Sequence, residues 1–161
     1  MGWHTVGQEL RRLLPCRKMA TNNINQSCGS LIYCTATHRY LFLLRNNGKF
    51  PDSWGLVGGK IEQGETILEG LEREIREELG GEIRDAKIIP IEQFTSDNKK
   101  FTYHTFLIKV EQEFIPDLNE EHKGYCWVPL EAYPKPLHPG VYRSIRLEKT
   151  RMKIKTQEQL N

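Results

Sequence analysis

A chain of 161 residues is long enough for one domain with its own hydrophobic core. A formal net charge of +2 gives no electrostatic ground for a dedicated nucleic-acid or membrane binder, and no apolar run is long enough to span a bilayer. The 4 cysteines (Cys16, Cys28, Cys34, Cys126) have no CxxC spacing, which argues against a zinc site or disulfide scaffold and for free thiols in a cytoplasmic compartment.

In chain order, residues 1–25 read as an N-terminal extension, flexible or a short amphipathic helix through Val6, Leu10, Leu13 and Leu14; the segment lacks the apolar core of a secretory signal. A domain over residues 26–150 follows. CGSLIYCT (28–35) and RYLFLLR (39–45) are apolar enough for buried strands, parted by a short bend. NNGKFPDS (46–53) is turn chemistry, and WGLVGG is a brief extended piece ending in glycines. A helix is expected from near Thr66 to Gly80–Gly81, where glycine accepts the left-handed cap conformation. AKIIPIEQF (86–94) and FTYHTFLIKV (101–110) read as strands; the second has apolar residues on both alternating sets, so both its faces are expected to be covered. The loop EFIPDLNEEHKG leads to a short strand YCWV, and one helix is expected after HPG (138–140). The tail, 151–161, is polar and expected to fray. The order of elements predicts an α/β fold, a mixed sheet with helices on its faces.

The helix after the paired glycines carries the chemistry. At 100° per residue, Leu68, Leu71, Ile75 and Leu79 fall within about 80° and form the buried stripe. Glu74, Glu77 and Glu78 form a second stripe beside it, not opposite it. Glu69–Arg73 and Glu72–Arg76 are i,i+4 pairs in the favourable order, and they leave the three-glutamate cluster unexplained. Like charges at that spacing repel unless a cation neutralises them, and a hard divalent ion with oxygen ligands does so. A glycine carbonyl adds an unobstructed backbone oxygen. The bland alternative is a solvated acidic face.

The spacing resembles the Nudix box. Gly59 is followed by five residues and Glu65, then by seven to Arg73-Glu74, then Ile75, Arg76, Glu77-Glu78, Leu79 and Gly80; Gly81 replaces the family's final aliphatic residue. Val57 stands where many members carry proline. PDSWGLVGGK before the box, and Trp127 after an Asn-Glu-Glu-His loop, match its context. The resemblance implies an α/β/α sandwich around a mixed sheet. It also implies hydrolysis of a nucleoside diphosphate linked to another group, with Mg2+ or Mn2+. It makes Glu74, Glu77, Glu78 and the Gly59 carbonyl metal ligands, and gives Glu65 and Arg73 an orienting role through charge pairing.

In that reading, metal ions offset the phosphate charge, water attacks one phosphorus in line, and a carboxylate takes the proton. The base is either a box glutamate or Glu120 or Glu121 in LNEEH; His122 is read as a base or a substrate contact. Candidate substrate contacts are Arg45, Trp54, Lys60 and Tyr103. An NDP-sugar or (d)NTP is favoured as substrate. Dinucleoside polyphosphates, an RNA 5′ end (through the basic residues of VYRSIRLEKTRMKIK) and a catalytically silent nucleotide-binding domain are the alternatives, and a homodimer stays open. GLVGGK is one residue short of a P-loop, and Ile61 replaces its metal-binding Ser or Thr.

Overall fold

A computed structural model describes residues 24–84 and 86–160. The expected extension over residues 1–25 lies almost wholly outside the described residues. Among the described residues, seven strands form one sheet: β1 (Asn25–Cys34), β2 (Arg39–Arg45), β3 (Trp54–Gly55), β4 (Val57–Lys60), β5 (Lys87–Thr95), β6 (Phe101–Val110) and β7 (His122–Val128). Helix α1 (Ile67–Leu79) follows β4, and α2 (Pro139–Arg146) and α3 (Glu148–Gln159) end the described chain. The order is β3-β2-β1-β6-β5, with β4 also on β1 and β7 also on β2. β1 and β6 are parallel, and the other pairs are antiparallel.

Strand alternation sorts the core into two layers. On one face Cys28 and Ile32 of β1, Leu41 and Leu43 of β2, and Phe106 and Ile108 of β6 meet Leu71, Ile75 and Leu79 of α1. On the other, Leu31, Tyr33, Tyr40, Phe42 and Leu107 meet Val141, Ile145 and Ile154 of α2 and α3. Strand β6 is therefore covered on both sides, and the architecture is an α/β/α sandwich.

Two expectations are corrected. The C-terminal residues do not fray up to Gln159: they form α3, with Ile154 fully buried and the Tyr40 hydroxyl donating to Glu158 at 2.6 Å. The single helix expected after residue 140 is two, because Leu147 takes an extended conformation (ψ 122°) between them. Ile154→Ala is expected to cost about 2–4 kcal/mol, the range for emptying a packed site; a urea midpoint would measure it, and an unchanged midpoint would mean α3 contributes nothing to the core.

Candidate active site

Local sequence sets the frame of α1. Thr66 is an N-cap in a full capping box: Glu69 N–H donates to Thr66 Oγ1 at 3.2 Å, and Thr66 N–H to Glu69 Oε2 at 2.8 Å. Gly80 closes the helix in the left-handed region (φ 74°). The α1 stripe then lies on β1 and β4, and it carries two glutamates inward with it. Glu78 is 2% exposed and Glu74 8%, while the Glu77 side chain is 53% exposed.

Each buried carboxylate meets a glycine of β4. Glu78 Oε2 accepts from Gly58 N–H at 2.9 Å. The Glu74 carboxylate lies against Gly59, where an added Cβ would sit 2.5 Å from Glu74 Cδ. At Gly58 a Cβ would run into the β1 backbone, 2.5 Å from Gly29 Cα. Both glycines are thus required by close approach. Gly59→Ala is expected to push Glu74 aside and lower kcat about 10- to 100-fold, the scale for a misplacement near 1 Å; steady-state kinetics with an unchanged unfolding midpoint would show it, and wild-type turnover would refute the packing argument.

Arg73 ties this arrangement to the preceding loop. Its guanidinium donates to Glu65 Oε1 (2.6 Å) and Oε2 (3.1 Å), Glu74 Oε1 (2.9 Å), Glu77 Oε2 (3.3 Å) and the Lys60 carbonyl (2.8 Å). Bonding to Arg73 holds the Glu65 carboxyl below its ordinary range. Burial pushes Glu74 up despite Arg73, and pushes Glu78 well above the ordinary carboxylate range, with Glu74 and Glu121 adding like charge.

A second element reaches the same place. Asp117 N–H donates to the Leu79 carbonyl at the α1 C-terminus (3.0 Å), and Trp127 Nε1–H donates to Phe114 O (3.0 Å), which docks the 111–121 loop on the helix. Asn46 N–H donates to Glu121 O (2.8 Å), and the Asn46 amide donates to Glu120 O (3.0 Å). The result is a group of ligand-type atoms on Glu78, Glu121 and His122, all within 4.8 Å of one another. His122 starts β7 and is 6% exposed, so it is not the loop residue the sequence suggests. Its Nδ1 lies 4.0 Å from Glu78 Oε1 and has no hydrogen-bond partner. Burial, with the Arg45 charge, lowers its pKa to about 4, so the ring is neutral at pH 7.

The predicted residues divide accordingly. Glu74, Glu78, Gly59 and Glu121 come together; exposed Glu77 is held at the rim by Arg73, and Glu120 contributes its carbonyl to Asn46 and Asn47. Arg45, at the end of β2, is close enough for its charge to act on Glu78 and His122. The Tyr103 ring lies over Gly29, the β1 partner of Gly58. Trp54 packs partly into the α2–α3 layer, with backbone bonds to Pro136 and His138 (both 2.8 Å). Lys60 is exposed at the end of β4. Among the tail cations, Arg143 pairs with Glu92 (3.0 Å) and Lys153 donates to Ile91 O (3.0 Å). Sequence reasoning missed three positioning residues: Gly58, Asn46, and Asn119, whose Oδ1 accepts from Glu121 N–H at 3.1 Å. The doubled glycine was a signal for the first; nothing short of the β2–β7 pairing marks the asparagines.

The fit to a divalent cation is good on this geometry: two buried carboxylates of which Glu78 accepts only a backbone N–H, an unpaired buried ring nitrogen, and a glycine cradle that a Cβ would fill. The NUDIX domain profile matches residues 28–147. The nucleoside triphosphatase NudI of Escherichia coli O139:H28 is 33% identical over 114 residues, covering 64% of this chain and 81% of that protein. The fold is similar to that of RenU, a Nudix hydrolase from M. smegmatis (TM-score 0.67, 19% identity, 84% of this chain and 88% of that one). It is also similar to a MutT protein from Methanosarcina mazei Go1 (TM-score 0.63, 22% identity, 86% and 99%). The chain belongs to the Nudix family, as a pyrophosphohydrolase of that family.

Proposed function

We propose that this chain is a Mg2+-dependent hydrolase, with Mn2+ as substitute, that cleaves the pyrophosphate bond of a (d)NTP or NDP-sugar. The observation that carries the reading is the pair of buried carboxylates, Glu74 and Glu78, each seated on a β4 glycine, with Glu121 brought alongside from another element. Similarity to a nucleoside triphosphatase supports a triphosphate. Glu74, Glu77, Glu78 and the Gly59 carbonyl would hold the cation. Once bound, it supplies positive charge against the phosphate oxygens and acidifies water.

The chain's own residues do the rest. Arg45 and Lys60 bring cationic charge to the phosphates, and Tyr103 lines the β1 side beside Gly29. Water attacks one phosphorus, the bridging P–O bond breaks, and the leaving phosphate departs. Glu121 takes the water's proton: its exposed carboxylate groups with Glu78 and His122, and that of Glu120 does not belong to this group. Glu121→Gln is expected to lower kcat about 10²-fold or more with cation affinity unchanged, and Glu120→Gln to stay within about twofold; equal effects would reject the assignment.

The deciding experiment is a panel of nucleoside triphosphates, NDP-sugars, dinucleoside polyphosphates and capped RNA, assayed with Mg2+, then Mn2+, then EDTA, with the products identified. Turnover of a triphosphate or NDP-sugar that EDTA abolishes is expected. Binding of a panel member without turnover under any condition would favour a silent binding domain. No helix among the described residues is long and apolar enough to cross a membrane. A cytoplasmic location belongs to the same proposal, supported by free thiols at Cys28, Cys34 and Cys126.

A further inference from the structure

We propose that His122 Nδ1 is itself a cation ligand, so that the centre is a mixed nitrogen–oxygen site in which Mn2+ and later first-row ions compete with Mg2+ better than at an all-oxygen site. The inference deepens the cation-dependent reading above and rests on it.

Three observations converge. The His122 side chain is 3% exposed, and its Nδ1 is buried with no hydrogen-bond partner, an arrangement that costs free energy and that native proteins keep for a reason. That nitrogen faces Glu78 Oε1 at 4.0 Å, too far for a hydrogen bond. One ion between them would meet both donors once the two side chains draw together, and would supply the partner that Nδ1 lacks. Glu121 stands beside the pair on its exposed side, where it keeps its part as proton acceptor.

The backbone holds the ring in this position. His122 N–H donates to Asn119 O at 3.3 Å, and Asn46 N–H donates to the Glu121 carbonyl at 2.8 Å, so both residues flanking the turn are fixed. With its proton on Nε2, the neutral imidazole presents the Nδ1 lone pair toward Glu78. Mg2+ is hard and selects oxygen, while imidazole suits later first-row ions and Mn2+ accepts both. A nitrogen donor beside Glu78 therefore narrows the advantage Mg2+ would hold in an all-carboxylate site.

The test is pulsed electron paramagnetic resonance on the full chain loaded with Mn2+, with histidine nitrogens 15N-labelled. Nitrogen coupling to the bound ion is expected, lost in His122→Gln and kept in Glu120→Gln. Calorimetry should show Mn2+ affinity falling about 10- to 100-fold in His122→Gln, with Mg2+ affinity changing much less. Mn2+ bound at the site without histidine coupling would overturn the ligand role and leave the cation-dependent hydrolase standing. No Mn2+ binding at all would overturn both. If His122→Gln does not fold, the wild-type spectrum still decides.

Discussion

Replacing Glu78 with Gln is expected to lower kcat by at least ~10²-fold and leave the fold intact. The substitution is nearly isosteric, and the amide oxygen can still accept the Gly58 N–H that Glu78 Oε2 accepts at 2.9 Å. What it removes is a negative charge from a side chain only 2% exposed. Burial already makes that charge costly, since it pushes the Glu78 carboxyl well above its ordinary range. The cation-free protein should thus lose no stability, while the rise in melting temperature on adding Mn2+ or Mg2+ should shrink. Kinetics, a urea titration and a thermal scan with and without cation measure the three parts. Turnover near wild type would remove the cation from the mechanism.

Loss of Arg73 should act on both stability and rate. Its guanidinium serves five acceptor atoms on Glu65, Glu74, Glu77 and Lys60, and its side chain is 19% exposed. In Arg73→Ala, the Glu74 carboxylate stays buried without its cation, and the loop before α1 loses its tether. Breaking one partner of a buried pair costs several kcal/mol; partial exposure here brings the expectation to about 2–4 kcal/mol. Arg73→Lys restores the charge without the planar fork and should recover part of the stability but little of the rate. Urea midpoints and kcat for both variants check this, and an Ala variant within about 0.5 kcal/mol of wild type would show the network to be ornamental.

Legibility from sequence followed the range of the interactions. Helix α1 was legible to within a residue because Thr66, Glu69 and Gly80 act locally, through caps. The α2–α3 break was not: Leu147 and its neighbours are ordinary helix formers, and nothing in their order marks the extended turn there. Ile154 has only Met152 for apolar company in a charged segment, with no periodic pattern to announce its burial. In the site, Glu74, Glu77 and Glu78 stand at helical spacing and were legible together. That Glu121 and His122 join Glu78 was hidden, because it depends on β7 pairing with β2 across a bulge at Leu44/Arg45 and on the Asp117–Leu79 bond. Strand β7 was expected only from Tyr125, since His122-Lys123-Gly124 lacks strand character.

The Gly58–Glu78 bond joins a peptide of the sheet to the proposed cation centre. Anything that grips Glu78 therefore also clamps the middle of β4, and through its register with Ser27–Ser30 the central strand as well. Occupancy and rigidity become two readings of one equilibrium, and the deuterium exchange rate of a single amide, that of Gly58, serves as a built-in gauge of both.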